Sequence, residues 1–197
     1  MDQEEALLEE QETVLQLPTG TPDQMAKALF EGQMGVTDYH MRKVLQDALS
    51  RGADYADLYF EYAYRTSVVM EESIIKNSSI SISKGVGVRV LKGDQTGYAY
   101  SEDLSLVAMQ RAARTAASIA TSATVKEHEG YRFNRLKPSN YYPVTRTATD
   151  LSLADKITKI QAAERAAHDY DPRIKRVTVS MVDTVDIVRI VTSDGRF

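Results

Sequence analysis

The chain has 197 residues, with 24 Lys and Arg against 28 Asp and Glu and a net charge of −4, so no whole-chain basic footprint for DNA or RNA exists. Cysteine is absent, which excludes disulfides, thiolate zinc ligands and cysteine nucleophiles within the chain and fits a reducing, cytoplasmic setting. Hydrophobic residues make up 43% and charged residues 26%, an ordinary globular composition, and no apolar run approaches the ~20 residues of a membrane-spanning helix.

The first segment, "MDQEEALLEEQETVLQ", is acidic and lacks the basic and apolar regions of a secretory signal. Residues 1–35 read as an acidic arm, broken at "LPTGTP" and with room for a short helix from Pro22. "VTDYHMRKVLQDALSRGA" predicts an amphipathic helix: Thr37 caps it, Tyr39, Val44, Leu45 and Leu49 form its stripe, and Gly52 stops it. From Asp54 the period changes to alternation, visible at Ile80 and Ile82 and again at Val86, Val88 and Val90. Gly93 and Asp94 supply a hairpin turn. The segment reads as an antiparallel meander of about four strands.

An alanine-rich helix follows, with Ser101 or Asp103 as cap and Leu106, Met109, Ala113, Ala116 and Ile119 on its stripe. Residues 124–148 read as a linker. A further helix is predicted from a cap at Asp150 or Ser152, with Leu153, Ile157, Ile160 and Ala163 in line and Pro172 beyond its end. Two strand-like runs close the chain and lead to Asp194-Gly195, a hairpin signal with no return strand behind it. The expectation is therefore an α+β fold: an antiparallel β-meander with flanking helices in a domain over residues 36–123, then a second α/β unit over 149–197 that reads as truncated.

No complete catalytic apparatus emerges from the residues. "SKGVGVRVLKGDQTGY" resembles a phosphate cradle, yet Gly85 and Gly87 are followed by Val90 where a dinucleotide fingerprint needs glycine, and the stretch continues as a strand. These glycines are read as permitting a bulge or close strand approach. His40, His128 and His168 lie far apart, and Glu164 with His168, four apart on a helix, lacks a third metal ligand and reads as a solvated pair. Ser78, Ser79, Ser81 and Ser83 belong to no nucleophile elbow. Glu71 and Glu72 are neighbours on a strand and point apart. Tyr55, Tyr59, Tyr62 and Tyr64 are read as sheet packing in preference to a base-stacking platform. No catalytic, cofactor-binding or metal residue is assigned.

Several spaced motifs in order do carry a resemblance. The "ADYADLYFE" strand, "ESIIKN" leading into the next strand, "GVGVRV" at Gly85 to Val90, "TGYAY" at Thr96 to Tyr100 and the "EDLSL" helix start together resemble the N-terminal region of the TldD/PmbA family. These are zinc metallopeptidases once called modulators of DNA gyrase, and the likeness is closer to the TldD type than to the PmbA (TldE) type. It is strong over Val36 to Ala123 and looser to the end of the chain. The resemblance implies an inactive N-terminal scaffold that helps enclose the chamber where unfolded or leader-bearing peptides are cut. It also implies zinc bound by a His-Glu, three residues, His motif beyond Phe197, and a dimer with a TldE/PmbA-like subunit or with itself. A peptide adding a strand to a sheet edge would suit such a role. The rival reading is a stand-alone, non-catalytic protein-interaction or regulatory module.

Overall fold

The structure is a computed structural model that describes residues 17–18, 20–121, 144, 146–147 and 150–195. The acidic arm up to residue 16, His128 and most of the expected linker lie outside the described residues. The elements in order are α1 (Pro22–Lys27), a π-helical turn (Ala28–Gln33), α2 (Asp38–Leu49), β1 (Tyr55–Glu71), β2 (Ile74–Lys92), β3 (Gln95–Ser101), α3 (Leu106–Ala120), α4 (Leu153–Tyr170) and β4 (Thr178–Thr192). This is the expected α+β fold, with one four-stranded sheet in the order β3-β2-β1-β4.

Local chemistry places most boundaries. Thr21 caps α1 by a capping box with Gln24, and Pro22 stands at the first helical position, where its missing N–H costs nothing. Thr37 caps α2, and His40 Nδ1 accepts from the Thr37 N–H at 3.3 Å. Ser152 caps α4, with Asp155 returning the bond. The cap of α3 is Ser105, not Ser101 or Asp103. The Asp103 carboxylate accepts from the Ser105 N–H at 2.8 Å, which bends the chain into the helix and leaves the cap to the next hydroxyl.

Three strands, not four, fill residues 55–101, because β1 and β2 run 17 and 19 residues without interruption. The fourth strand of the sheet is β4. It lies beside β1 in antiparallel register: Ala56 exchanges bonds with Ser193, Thr66 meets Asp183, and the Glu72 N–H reaches the Val177 carbonyl. The paired numbers add to 249 each time (56 with 193, 66 with 183, 72 with 177), so no residue is inserted between these points. On β1 the even-numbered residues from Ala56 to Met70 are all buried, and Asp57 is the one odd-numbered residue buried with them. On β2 the inward residue is Ile75 near the start but Val86, Val88 and Val90 near the end. Strand β2 thus takes up one extra residue between them, as a β-bulge does.

The described residues group into two compact units, and β1, β2 and β4 contribute to both. In the unit holding residues 18–62, 83–121 and 186–195, α3 packs on β3 and α2. Leu29, Phe30, Met41, Leu45, Leu58, Phe60 and Met109 are fully buried there, and the Phe30 and Phe60 rings meet at 5.6 Å. Each such side chain contributes on the order of 1.5–3 kcal/mol of burial. The inner face of α3 is alanine: Ala108, Ala112, Ala113, Ala116, Ala117 and Ala120 surround Met109, while Ile119 is exposed against expectation. Small side chains bring the helix so near that a Cβ on Gly97 would stand 1.9 Å from the Ala116 carbonyl oxygen. Tyr39 of α2 is likewise exposed, its expected place taken by Met41 and Ala48. In the unit holding 63–82 and 144–185, α4 lays Leu153 and Ile160 on Val68 and Met70, flanked by Ile75, Ile157, Val179 and Met181.

Candidate functional site

The feature of the sheet most open to a ligand is an edge. Strand β3 pairs with β2 from Lys92 opposite Gln95 to Val86 opposite Ser101 and goes no further. Strand β2 extends back to Ile74, so among the described residues the Ile74–Ile82 stretch has β1 on one side and no strand on the other. Gly85 marks the departure, since a Cβ there would lie 2.9 Å from the Ser101 carbonyl oxygen. The nine residues Ile74–Ile82 span roughly 30 Å at ~3.3 Å each. Their composition, "IIKNSSISI", is neutral apart from Lys76, and Ser79, Ser81 and Ile82 are exposed. Alternate N–H and C=O groups along such an edge point outward and are ready to pair with an extended chain.

Beside this edge the β1–β2 turn is held from an unexpected direction. Glu72 and Ser73 adopt φ of 51° and 62°, the left-handed pair that a tight hairpin requires and that Asn-Gly normally supplies. Glu164 of α4 holds it: its carboxylate accepts from the Ser73 N–H at 2.6 Å and from the Ser73 hydroxyl at 2.8 Å. Glu164 is therefore buried, and the expected solvated pair with His168 is corrected. His168 lies instead near the Ile174 carbonyl, its Nδ1 at 3.4 Å.

Two turns earlier on the same helix face, Lys156 is also buried. Its Nζ lies 2.9 Å from Thr66 Oγ1 on β1 and 3.0 Å from Asp183 Oδ2 on β4, and the Thr66 hydroxyl donates to Asp183 at 2.7 Å. Burial and the Asp183 charge raise the Tyr64 hydroxyl above its usual range. The residues singled out from sequence do not converge. Glu71 and Glu72 are the exception and correct the expectation that they point apart: Glu72 stands in the turn beyond β1, and both carboxylates reach Arg176 Nε, at 3.8 and 3.5 Å, while Ser78, Ser79 and Ser81 lie along the β2 stretch that β3 does not pair. Tyr62 and Tyr64 are buried, whereas Tyr59 stands on the opposite sheet face. Gly87 leaves room for Tyr98, whose hydroxyl a Cβ would meet at 2.6 Å and whose ring it would meet at 3.0 Å. Sequence reasoning missed Lys156, Thr66 and Asp183 altogether. A lysine on an otherwise apolar helix stripe was the available signal.

Among the described residues no three His, Asp or Glu side chains come together as a metal ion would require. They do not fit a zinc centre.

Sequence profiles match in two places: PmbA/TldA metallopeptidase domain 1 over residues 56–120, and the central domain of the same proteins over 146–197. The chain belongs to the PmbA/TldD family. A Metalloprotease TldD homolog of Haemophilus influenzae is 33% identical over 145 residues, covering 74% of this chain and 30% of its own length. One from Buchnera aphidicola of Acyrthosiphon pisum is 27% identical over 160 residues, covering 81% and 33%. The chain thus spans about a third of these TldD relatives. The fold recurs in two crystal structures described as modulators of DNA gyrase. That of Bacteroides thetaiotaomicron has a TM-score of 0.59 at 19% identity, over 81% of this chain and 38% of the other. That of Thermotoga maritima has a TM-score of 0.55 at 21% identity, over 72% and 32%. Among the described residues no helix is long and apolar enough to cross a membrane.

Proposed function

We propose that this chain is the N-terminal scaffold and substrate-enclosing portion of a TldD-like zinc metallopeptidase that cuts unfolded or leader-bearing peptides. The observation that carries the reading is the Ile74–Ile82 edge, which no described strand pairs, in a chain whose two profile matches are metallopeptidase domains. A peptide added along that edge gains main-chain hydrogen bonds whatever its side chains, which suits a protease handling varied sequences. The neutral, hydroxyl-rich surface of the edge imposes little charge selection. Zinc and the hydrolytic groups belong, in this reading, to the longer parent protein, which works in the cytoplasm as a dimer with a TldE/PmbA-like subunit or with itself.

The test substitutes proline at Ser79 and, separately, at Ile80. Adjacent N–H groups point to opposite sides of a strand, so one of the two variants removes an outward donor. That variant should bind a labelled, disordered peptide several-fold more weakly, and the longer parent carrying it should hydrolyse peptide more slowly at unchanged zinc content. Equal affinity in both variants and the parent would refute the edge as the binding site.

A further inference from the structure

Among the described residues no element covers the second face of the sheet, opposite the helices, in the unit that holds α2 and α3, and this face is aromatic. Arg89 of β2 stands opposite Tyr98 of β3, and Gly87 opposite Tyr100. Residues directly opposite share a face, and Tyr98 and Tyr100 are 58% and 70% exposed. On β1 the same face carries Asp57, bonded to Arg89 at 2.6 Å, and two residues further Tyr59. The β1–β4 register places Ile190 opposite Tyr59 and Val188 opposite Glu61, all on this face. Tyr59, Val188 and Ile190 are all exposed, at 39–46%. Gly87, with no side chain, lets the Tyr98 side chain lie down over the strand.

The charges on this face are uneven. Arg89 is neutralised by Asp57. Glu61 and Asp186 both act on Tyr59, whose hydroxyl is raised above its usual range by burial and then by these two carboxylates. Among the described residues neither carboxylate takes part in a salt bridge, although Glu61 accepts a hydrogen bond from the Tyr59 hydroxyl. A tyrosine-rich surface with two carboxylates that no described cation pairs complements one chemistry well: guanidinium groups, which stack on tyrosine rings and pair with carboxylates, set among apolar side chains.

We propose that this face docks an arginine-bearing apolar segment of a partner polypeptide. The face lies in one unit and the Ile74–Ile82 edge in the other, so the inference stands apart from the edge reading.

The experiment measures fluorescence anisotropy of the 197-residue chain with two labelled dodecapeptides, one alternating leucine with arginine and one alternating leucine with glutamate. The arginine peptide should bind at least about tenfold more tightly, the equivalent of one or two stacked and paired guanidinium groups. The preference should collapse in Glu61→Gln/Asp186→Asn, which leaves packing untouched. Affinity should fall several-fold in Tyr98→Ser/Tyr100→Ser, checked for folding by its melting curve. The proline variants of the β2 edge should keep the preference. No preference, or a preference that survives the carboxylate substitutions, overturns the proposal. Loss in the edge variants alone also overturns it and credits the edge instead. Self-association that the tyrosine substitutions abolish would give the face to a second copy and likewise overturn the proposal.

Discussion

Replacing Lys156 by alanine tests how α4 is anchored to the sheet. The substitution strands the Asp183 carboxylate, whose side chain is only 13% exposed, and removes the ammonium that lies within 3.0 Å of it. Breaking a buried pair from one side costs about 3–5 kcal/mol. Asp183 would keep the 2.7 Å bond from the Thr66 hydroxyl and some contact with water, so the loss should fall near the lower end, about 3 kcal/mol. Removing every charge and hydroxyl together, as Lys156→Met with Asp183→Leu and Thr66→Val, should leave stability within about 1 kcal/mol of the parent, because no polar group is then stranded. The assay is urea unfolding followed by far-ultraviolet circular dichroism and by tyrosine fluorescence, which is usable because the chain has no tryptophan. A loss below about 1 kcal/mol for Lys156→Ala, or an equal loss in the triple variant, would refute the account: the first would show the pair does not hold the helix, the second that burial alone does.

Glu164→Ala removes both bonds to Ser73 from a turn already in left-handed geometry, and should cost about 1–3 kcal/mol in thermal unfolding. Adding Ser73→Gly should recover part of that loss by easing the backbone, and no recovery would argue against strain at the turn. Gly97→Ala places a methyl against the Ala116 carbonyl of α3; a loss of at least about 1–3 kcal/mol is expected, and Ala116→Gly should not rescue it because the obstacle is backbone. The Ser105 N–H and hydroxyl hold the Asp103 carboxyl below the usual carboxylate range. A carboxyl lowered on folding stabilises the protein above the unfolded value near ~4 and loses that contribution as pH falls through its folded value. The melting-temperature gap between the parent and Asp103→Asn should therefore be present at pH 6 and close toward pH 2, and a gap constant over that range would contradict the assignment.

What could be read from the sequence follows the range of the forces involved. Caps, turns and helix starts are decided within four residues, so Thr37, Ser152, Pro22 and the Gly93–Asp94 turn stand where their chemistry put them. Even here Asp103 and Ser105 compete at close quarters, and bonding between the two moved the cap. The helix faces were legible in period but not in direction. On α3 an alanine face lies inward because Gly97 admits a close helix, and on α4 two charged residues are buried because Thr66, Asp183 and Ser73 receive them. None of the three partners of α4 is nearer than 27 residues along the chain. The place of β4 beside β1 is likewise a property of the folded sheet, as is the stretch of β2 that β3, being short, leaves without a partner among the described residues. Gly85 and Gly87 were legible as close-approach positions, and the structure supplies what approaches them, the Ser101 carbonyl and the Tyr98 ring.

The pairing of β1 with β4 has a kinetic consequence. Strand β1 finds β2 across a two-residue turn, but it waits for β4 over a separation of 117 residues at Thr66 and 137 at Ala56. Local hairpins close in microseconds, whereas contacts so distant in sequence slow the search by the entropy of the loop they close. During synthesis at ~5–20 residues per second, β1 would leave the ribosome several seconds ahead of its partner, with one long side unsatisfied. A nascent chain stalled in that interval should be the form most readily held by chaperones and most readily lost to aggregation.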